Sequence, residues 1–290
     1  MSHNTILHST KLLSCAKVNI GLNIINRSDN GYHFLESLMQ EIDFHDTIDI
    51  KIKKYHGDII IKSVGLKVNC LESENSCYKI IDYVKHNYNI PNAIIIELDK
   101  KIPIGSGLGG GSSNAAIILN YLNKAFNLNI SFKQKVEICK MIGMDASFFI
   151  NGSLQYAENY GEITTPIRPI FKNLFFLVVN PSFSISTEWA YSQINKNLPS
   201  KKMRYNLLAL EEPLKWELFR NDFETIVIPR YPEIGVLKSK MIDNGAVYSS
   251  LSGSGSTVFG IFKNYDQAKI VAKTINHKKY HITVTSPIYR

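Results

Sequence analysis

The apolar and polar positions of this chain change their period at one glycine-rich stretch, residues 100–114. An apolar run at residues 93–98 leads into the stretch, as a buried strand would. After the stretch, apolar residues recur at helical spacing, at Ala115, Ile118, Leu119, Leu122 and Phe126. The pattern therefore predicts a strand, then a glycine loop, then the start of a helix.

Alternating positions and short apolar runs predict further strands at residues 12–25, 47–52, 175–179, 258–262 and 280–284. Helical spacing predicts helices at residues 75–88 and 266–275, and a third helix that Ser131 caps. We expect this third helix to carry Phe132, Val136, Cys139 and Ile142 on one apolar face and to end at Gly143. An apolar strand that runs to Ile150 is expected to follow it.

Length and composition are typical of a folded protein of two domains. The 290 residues are 44% hydrophobic and 20% charged, which is an ordinary balance for a globular protein. We place the domain boundary near residue 160, which gives domains at 1–160 and 161–290. A Thr/Pro-containing connection is expected at residues 162–169, and the polar, basic residues 195–206 predict a flexible loop.

The net charge of +8 suits an anionic partner, which can be nucleic acid, a membrane surface or a phosphorylated metabolite. The lysines occur singly or in pairs, without the concentrated basic arm or helix of nucleic-acid-binding proteins. No apolar run approaches the ~18 residues of a membrane span, and no secretion signal begins the chain. A reducing cytoplasm fits the cysteines, which show neither metal-binding nor disulfide spacing: Cys15, Cys70, Cys77 and Cys139.

The glycine loop has the composition of an anion-binding site. Five of the seven residues from Gly105 to Gly111 are glycine, so few Cβ atoms keep a ligand from the backbone. Ser112 and Ser113 follow at the helix start, where N–H groups and the helix dipole attract a polyphosphate. The loop does not match the Walker pattern, because no lysine precedes the serines. A dinucleotide-binding loop is also excluded, because the acidic residue that would hold a ribose is missing: none follows before Val136. A flexible linker is the weaker alternative, since linkers lack such apolar flanks.

Several polar residues have both a functional and a purely structural interpretation. Lys17 interrupts an apolar strand, which fits a functional charge or an edge strand with the lysine facing water. His33 can be a partly buried histidine at a strand entry, and Asp145 can be a turn or N-cap residue. Tyr191 can be a core aromatic of a helix, and residues 252–256 a low-complexity turn. The residues alone leave these alternatives open.

The loop resembles the phosphate loop of the galactokinase, homoserine kinase, mevalonate kinase and phosphomevalonate kinase superfamily. The resemblance extends over residues 103–116, whose triple glycine and Ser-Ser-Asn-Ala-Ala ending are most similar to the 4-diphosphocytidyl-2-C-methyl-D-erythritol kinase family. Four other motifs of that family occur in order along the chain: Lys17-x-Asn19, Gly31-Tyr32-His33, Asp145 and Gly253-Ser254-Gly255. The resemblance therefore spans nearly the whole chain.

This resemblance implies an α+β, two-domain kinase. Its N-terminal domain would be like ribosomal protein S5 domain 2 and its C-terminal domain ferredoxin-like, with the active site in the cleft, and the last strand can return to the first domain. The reaction implied is ATP-dependent phosphorylation of the 2-hydroxyl of the family's acceptor, with Mg²⁺, in non-mevalonate isoprenoid biosynthesis. A cytoplasmic monomer or weak homodimer is implied, with no nucleic-acid or membrane partner.

The resemblance also assigns roles to individual residues. Lys17 would compensate charge and Asp145 would be the catalytic base. Tyr32 would stack on the cytosine ring of the acceptor, His33 would hydrogen-bond it, and Tyr191 would close the clamp. The other acceptor-binding residues would be Asn19, Thr187, Gly253, Ser254 and Gly255. The ATP-binding residues would be Pro103, Ile104, Gly105, Ser106, Gly107, Leu108, Gly109, Gly110, Gly111, Ser112 and Ser113, with Asn75 and either Lys100 or Lys101 near the adenine. Ser112 or Ser113 would offer a hydroxyl to Mg²⁺.

The chain departs from the family pattern at three points: Asn30 replaces Asp, Ala146-Ser147 replaces Val-Pro, and Asn159 replaces the first glycine of a Gly-x-Gly-Glu turn. The missing proline should soften the turn that aims Asp145. Two alternatives stay open, a sister kinase such as homoserine kinase and a nonenzymatic nucleotide-binding or nucleic-acid-binding protein. The adjacent Tyr32 and His33 argue against the first, and the presence of both Lys17 and Asp145 argues against the second.

Overall fold

The computed structural model describes residues 5–29, 31–194, 214–275 and 278–290. The chain forms two compact units, and each is built from separate segments. The first unit takes residues 1–16, 45–104 and 109–151, and the second takes residues 17–44, 105–108 and 152–290. The contiguous boundary near residue 160 stays a prediction, as does the flexible loop at residues 195–206, which lies outside the described residues.

Strands supply the framework of both units. In chain order they are β1 (Ile6–Arg27), β2 (His33–His56), β3 (Ile59–Gly65), β4 (Asn92–Lys100), β5 (Leu154–Glu158), β6 (Ile163–Pro166), β7 (Phe175–Asn180), β8 (Tyr248–Leu251), β9 (Val258–Phe262) and β10 (His281–Thr285). The first two strands contribute residues to both units.

Helices cover the strands. They are α1 (Ser76–Asn87), α2 (Gly110–Ala125), α3 (Phe132–Lys140), α4 (Phe148–Asn151), α5 (Thr187–Gln193), α6 (Glu224–Arg230), α7 (Pro232–Asp243) and α8 (Tyr265–Thr274). The mixture of helices and mainly antiparallel strands confirms the predicted α+β class. Among the described residues, no helix is both long and apolar enough to cross a membrane.

In the first unit, β4 lies between β3 and the second half of β2. It runs parallel to β3 and antiparallel to residues 47–52 of β2. The alternation that predicted a half-exposed strand is confirmed, because Ile48, Ile50 and Ile52 are buried. Apolar residues of α1 and α2 complete this core: Ile80, Ile81, Val84, Ala115, Ile118, Leu119 and Leu122. Burial raises the pKa of the Cys77 thiol to about 12, so it packs as an apolar group.

In the second unit, β7 is one of the two inner strands of a four-stranded antiparallel sheet with the order β10-β7-β9-β8. Helices α7 and α8 pack on this sheet. One apolar cluster joins the sheet to these helices and includes Leu177, Val179, Leu237, Val258 and Val271. The central position predicted for the strand at 175–179 is therefore confirmed. The same unit holds β5, which pairs with β6 and with residues 37–40 of β2.

Four local predictions are wrong. Phe132 is exposed, because it is the first residue of α3, directly after the capping box of Ser131 and Gln134. The helix ends at Lys140 rather than at Gly143. No strand follows Asp145, since residues 144–147 form a 3-10 turn that continues into α4. A short apolar run cannot distinguish a strand from a buried helical turn. Finally, the expected connection at 162–169 contains β6, which closes a hairpin with β5.

Candidate active site

The first part of the glycine loop, Gly105–Leu108, is held in the second unit by its carbonyl oxygens. The Lys17 N–H donates to Leu108 O at 3.0 Å, and the Thr257 N–H donates to Ser106 O at 3.1 Å. Gly107 O accepts from both Lys17 Nζ and Ser252 Oγ, each at 2.9 Å. Gly107 has φ +80°, and a Cβ there would lie 2.0 Å from the Ser252 carbonyl oxygen. Only glycine fits this position.

Lys17 is buried inside β1, with 4% of its surface exposed. The alternative of an edge lysine facing water is therefore wrong. Its Nζ donates to Asn19 Oδ1 at 2.6 Å as well as to Gly107 O. Asn19 Nδ2 donates to Ser37 Oγ at 2.8 Å, and that hydroxyl donates to Gly21 O at 2.8 Å. This chain of hydrogen bonds fixes the Asn19 amide so that its oxygen faces the ammonium group.

The second part of the glycine loop begins α2 in the first unit. Gly109 is the N-cap residue, with φ +70°, and the helix begins at Gly110. In the first turn of α2, Ser112 Oγ donates to Asp145 Oδ1 at 2.9 Å. Ser113 is buried, and its hydroxyl accepts from Ser14 Oγ at 2.8 Å. Of the two serines, Ser112 is the one whose hydroxyl contacts the carboxylate.

Asp145 lies on the 3-10 turn Met144–Ser147 between α3 and α4. The Ser147 hydroxyl donates to Met144 O at 3.3 Å, which closes the turn with a hydrogen bond that a proline could not make. Ala146 and Ser147 are both buried. Asn120 of α2 secures the next turn, because its Nδ2 donates to Ile150 O at 2.9 Å. The softened turn expected without proline is thus supported from both sides.

Aromatic rings gather around His33 in the second unit. His33 stacks on Tyr191, with 4.9 Å between ring centroids and an interplanar angle of 21°. Tyr191 also meets Phe223 edge-on at 4.9 Å, and α5 carries it beside the apolar cluster. Tyr191 is thus both part of the packing and a neighbour of the predicted base-binding histidine. Partial burial, and then the charge of Arg27, lower the pKa of His33, which favours a neutral imidazole.

Tyr32 is 53% exposed and lies 5.5 Å from the ring of Tyr160. Tyr160 also stacks on Phe34, with 5.0 Å between ring centroids, so it contacts the residues directly before and after His33. The sequence contained Tyr160 in the turn between β5 and β6, but its pattern gave no sign of these partners. Asn30, which precedes this segment, lies outside the described residues.

The second glycine loop, residues 252–256, is an ordered turn. Asn221 Nδ2 donates to Leu251 O at 2.7 Å and to Gly253 O at 2.9 Å. The Ser254 hydroxyl lies 3.0 Å from Thr187 Oγ1 at the start of α5. These bonds replace the low-complexity interpretation and bring two predicted acceptor-binding residues, Thr187 and Ser254, into contact.

The remaining predicted nucleotide residues lie in the first unit or at its border. Asn75 caps α1, where its Oδ1 accepts from the Cys77 N–H at 2.9 Å. Pro103 is buried, whereas Ile104 and Gly105 are exposed. Lys100 is buried and contacts Asp46, a residue that belongs to none of the motifs in the sequence. In the sequence, Asp46 directly precedes the alternating residues 47–52, so the pattern indicates only an ordinary residue at the start of a strand.

Comparison with known proteins supports the resemblance to kinases along most of the chain. Residues 75–153 match the family model described as GHMP kinases N terminal domain, and residues 203–281 match GHMP kinases C terminal. The presence of both domains in order confirms the two-domain kinase architecture expected from the sequence.

Individual relatives are similar over nearly their full length. The 4-diphosphocytidyl-2-C-methyl-D-erythritol kinase of Alkaliphilus oremlandii (strain OhILAs) is 37% identical over 267 residues, which cover 89% of each chain. The enzyme of the same name from Thermodesulfovibrio yellowstonii (strain ATCC 51303 / DSM 11347 / YP87) is 38% identical over 281 residues, 90% of this chain and 94% of the relative. A crystal structure of 4-(cytidine 5'-diphospho)-2C-methyl-D-erythritol kinase has a TM-score of 0.77 and 25% identity, over 97% of this chain and 100% of its own.

Proposed function

This chain belongs to the GHMP kinase family, and on that premise we propose that it transfers the γ-phosphoryl group of ATP to the 2-hydroxyl of 4-diphosphocytidyl-2-C-methyl-D-erythritol. The reaction is a step of the non-mevalonate route to isoprenoid precursors. The observation that carries the proposal is the Ser112–Asp145 hydrogen bond, which joins a carboxylate to the first turn of α2. A helix start attracts phosphate, and a carboxylate beside it can accept the proton of an acceptor hydroxyl.

Asp145 serves as the base or the positioning group for the acceptor hydroxyl. Phosphoryl transfer proceeds with little bonding to the incoming oxygen, so orientation of the hydroxyl matters more than its early deprotonation. The bond from Ser112 holds one carboxylate oxygen in a fixed direction. The carboxylate can then accept from the acceptor hydroxyl, and Asp145 carries the proton once the new P–O bond forms.

Lys17 supplies positive charge to the transferring phosphoryl group. Its ammonium is buried and held by Asn19 Oδ1 and Gly107 O, so little reorganisation is needed when negative charge develops. Asn19 acts mainly through Lys17, since both ends of its amide are bonded within the protein. The amides of Gly105–Gly111 and the start of α2 hold the phosphates of ATP, with Asn75 and Lys100 near its base.

Magnesium fits this site as part of the Mg²⁺–ATP complex. The Ser112 hydroxyl and the Asp145 carboxylate are adjacent oxygen donors, the type that Mg²⁺ prefers. Among the described residues, no cluster of three or more His, Cys, Asp or Glu side chains could hold a metal by itself. Phosphate oxygens would therefore complete the coordination, and the bound ion would neutralise charge on the phosphoryl group.

The aromatic residues around His33 bind the cytosine ring. Tyr32 presents an exposed ring for stacking, and a neutral imidazole can both donate to and accept from the polar edge of a base. Tyr191 and the second glycine loop complete the acceptor site, with Thr187, Gly253, Ser254 and Gly255 near the diphosphate. The net charge of +8 serves these anionic small molecules rather than nucleic acid. We place the enzyme in the cytoplasm, as a monomer or weak homodimer.

The test is an acceptor panel with purified protein, ATP and Mg²⁺, in which ADP release is measured with each candidate acceptor. Turnover with the cytidylyl acceptor at least a hundredfold faster than with homoserine or mevalonate supports the proposal. Faster turnover with homoserine would identify a sister kinase instead. ATP binding without turnover of any acceptor would indicate a nonenzymatic nucleotide-binding protein.

A further inference from the structure

Asp46 is a buried carboxylate beside the end of β4, the strand that leads into the glycine loop. It lies on β2 in the first unit and has no exposed side-chain surface. Its Oδ1 accepts from the N–H groups of Lys101 and Ile102, at 2.7 and 2.8 Å, and its Oδ2 accepts from Lys100 Nζ at 2.5 Å. One carboxylate therefore binds three consecutive residues of the chain, directly before Pro103 and the loop.

The neighbouring ion pair, between Lys101 and Asp99, is exposed to solvent. Lys101 and Asp99 are 50% and 41% exposed, with 3.4 Å between Lys101 Nζ and Asp99 Oδ2. Such a solvated pair contributes little to structure. The Asp46–Lys100 pair, by contrast, is 0% and 5% exposed, and each charge would be costly to leave alone. The buried pair thus requires both partners, whereas the exposed pair does not.

The groups that Asp46 holds pack directly against the first residue of α2. A Cβ at Gly110 would come 2.8 Å from Lys100 Nζ and 2.9 Å from Ile102 Cγ2. The backbone of Lys100 is secured from the other side too, because its carbonyl oxygen accepts from the Leu66 N–H at 2.8 Å. The direction in which α2 begins therefore depends on where Asp46 fixes Lys100 and Ile102.

We propose that Asp46 is a positioning residue for the nucleotide, which sets ATP affinity by fixing the end of β4 against the first turn of α2. The inference rests on the proposed use of that turn and the glycine loop for phosphate binding. Amide groups bind phosphate well only when they are held in the bound geometry beforehand. Loss of the Asp46 charge would leave the Lys100 ammonium unpaired beside Gly110 and free it and the loop entry to move.

The test compares Asp46→Asn with Asp99→Asn, which removes a carboxylate from the adjacent, solvated pair. Asp46→Asn is expected to raise KM for ATP and the calorimetric Kd for ATP by about 10–100-fold, the range for misplacement of a binding group. KM for the acceptor should change less than threefold, and Asp99→Asn should match the wild type. A folded Asp46→Asn variant with wild-type ATP affinity would overturn the inference. An equal rise in both KM values would also overturn it, since general loss of structure would have that effect.

Because Asp46→Asn leaves a buried lysine without its partner, a second variant protects the test against misfolding. Asp46→Glu leaves Lys100 unchanged and keeps a negative charge for it, but its longer side chain moves the carboxylate away from the Lys101 and Ile102 N–H groups. It should fold with a melting temperature near that of the wild type while ATP affinity stays reduced at least tenfold. Wild-type ATP affinity in this second variant would contradict the inference. Calorimetry without acceptor separates this inference from the proposed function. If the wild-type protein binds ATP but phosphorylates no cytidylyl acceptor, the proposed function is refuted. The ratio of the ATP Kd of Asp46→Asn to that of the wild type still decides whether Asp46 is a positioning residue.

Discussion

At the scale of single residues, the amide of Asn19 holds the Lys17 ammonium group in position. The two side chains are 2.6 Å apart and buried, and Ser37 fixes the orientation of the amide. We therefore predict that Lys17→Met lowers kcat by roughly 10²–10³, the range for loss of one preorganised charge-stabilising group. Asn19→Ala should lower kcat less. In the Lys17→Met background, Asn19→Ala should cost almost nothing further, because its effect acts through the lysine.

A double-mutant cycle on kcat measures this coupling. Multiplicative losses would show that Asn19 acts independently of Lys17, for example by binding the acceptor itself. The family resemblance favoured that role for Asn19, and the sequence could not reveal that both ends of its amide are already bonded.

The acceptor site should respond to pH through His33. Burial and the charge of Arg27 hold the pKa of its imidazole below the ordinary value of 6.5. KM for the acceptor should therefore stay level as pH falls past 6.5 and rise only at lower pH, where the imidazole gains a proton. The same shift makes the folded state bind fewer protons than the unfolded state, so His33 lowers stability as pH falls from 6.5.

The measurement is KM for the acceptor from pH 8 to pH 5, with His33→Gln as the control that cannot titrate. The variant should show a higher KM without the rise at acidic pH. An identical pH profile in wild type and variant would mean that another group titrates, and that His33 does not contact the base.

At the scale of elements, the two glycine loops are joined at Gly107 in the second unit. A Cβ at this position would lie 2.0 Å from Ser252 O and 3.2 Å from Gly255 O, both backbone atoms that cannot rotate away. Gly107→Ala is therefore expected to displace the loop and raise KM for ATP at least tenfold. Gly245→Ala is the matched control, because Gly245 also has positive φ, +97°, but meets only the flexible end of Gln267.

Steady-state kinetics and thermal melting of both variants decide this prediction. Gly245→Ala should lower the melting temperature without changing KM for ATP. If Gly107→Ala keeps wild-type KM in a folded protein, the phosphates of ATP bind elsewhere.

Period and capping signals predicted most elements, including α2, the Ser131-capped α3 and the central β7. They failed where a short apolar run had no period, as in residues 146–150, which form a helical turn rather than a strand. The same limit applies to the candidate site. Motifs identified Lys17 and Asp145 through family resemblance, but Asp46, Ser252 and Tyr160 gained their importance only from partners distant in sequence.

At the scale of the whole molecule, the net charge of +8 should draw anionic substrates to the protein. We predict that kcat/KM for the cytidylyl acceptor falls several-fold between about 10 and 200 mM NaCl, as salt shortens the range of charge interactions. The value of kcat should change little, because substrate is already bound at saturation. A neutral solute at matched osmolality is the control. A kcat/KM that does not depend on salt would show that the charge serves another purpose.

The turnover of Asp145→Asn tests the central claim most directly. The substitution keeps the size of the side chain and an oxygen that can accept from Ser112, but removes the charge that orients and deprotonates the acceptor hydroxyl. We predict that kcat with 4-diphosphocytidyl-2-C-methyl-D-erythritol falls by roughly 10²–10⁴ while Kd for ATP stays near the wild-type value. Asp99→Asn, purified and assayed in parallel, should match the wild type. A kcat for Asp145→Asn within a few-fold of the wild type would contradict the proposed mechanism.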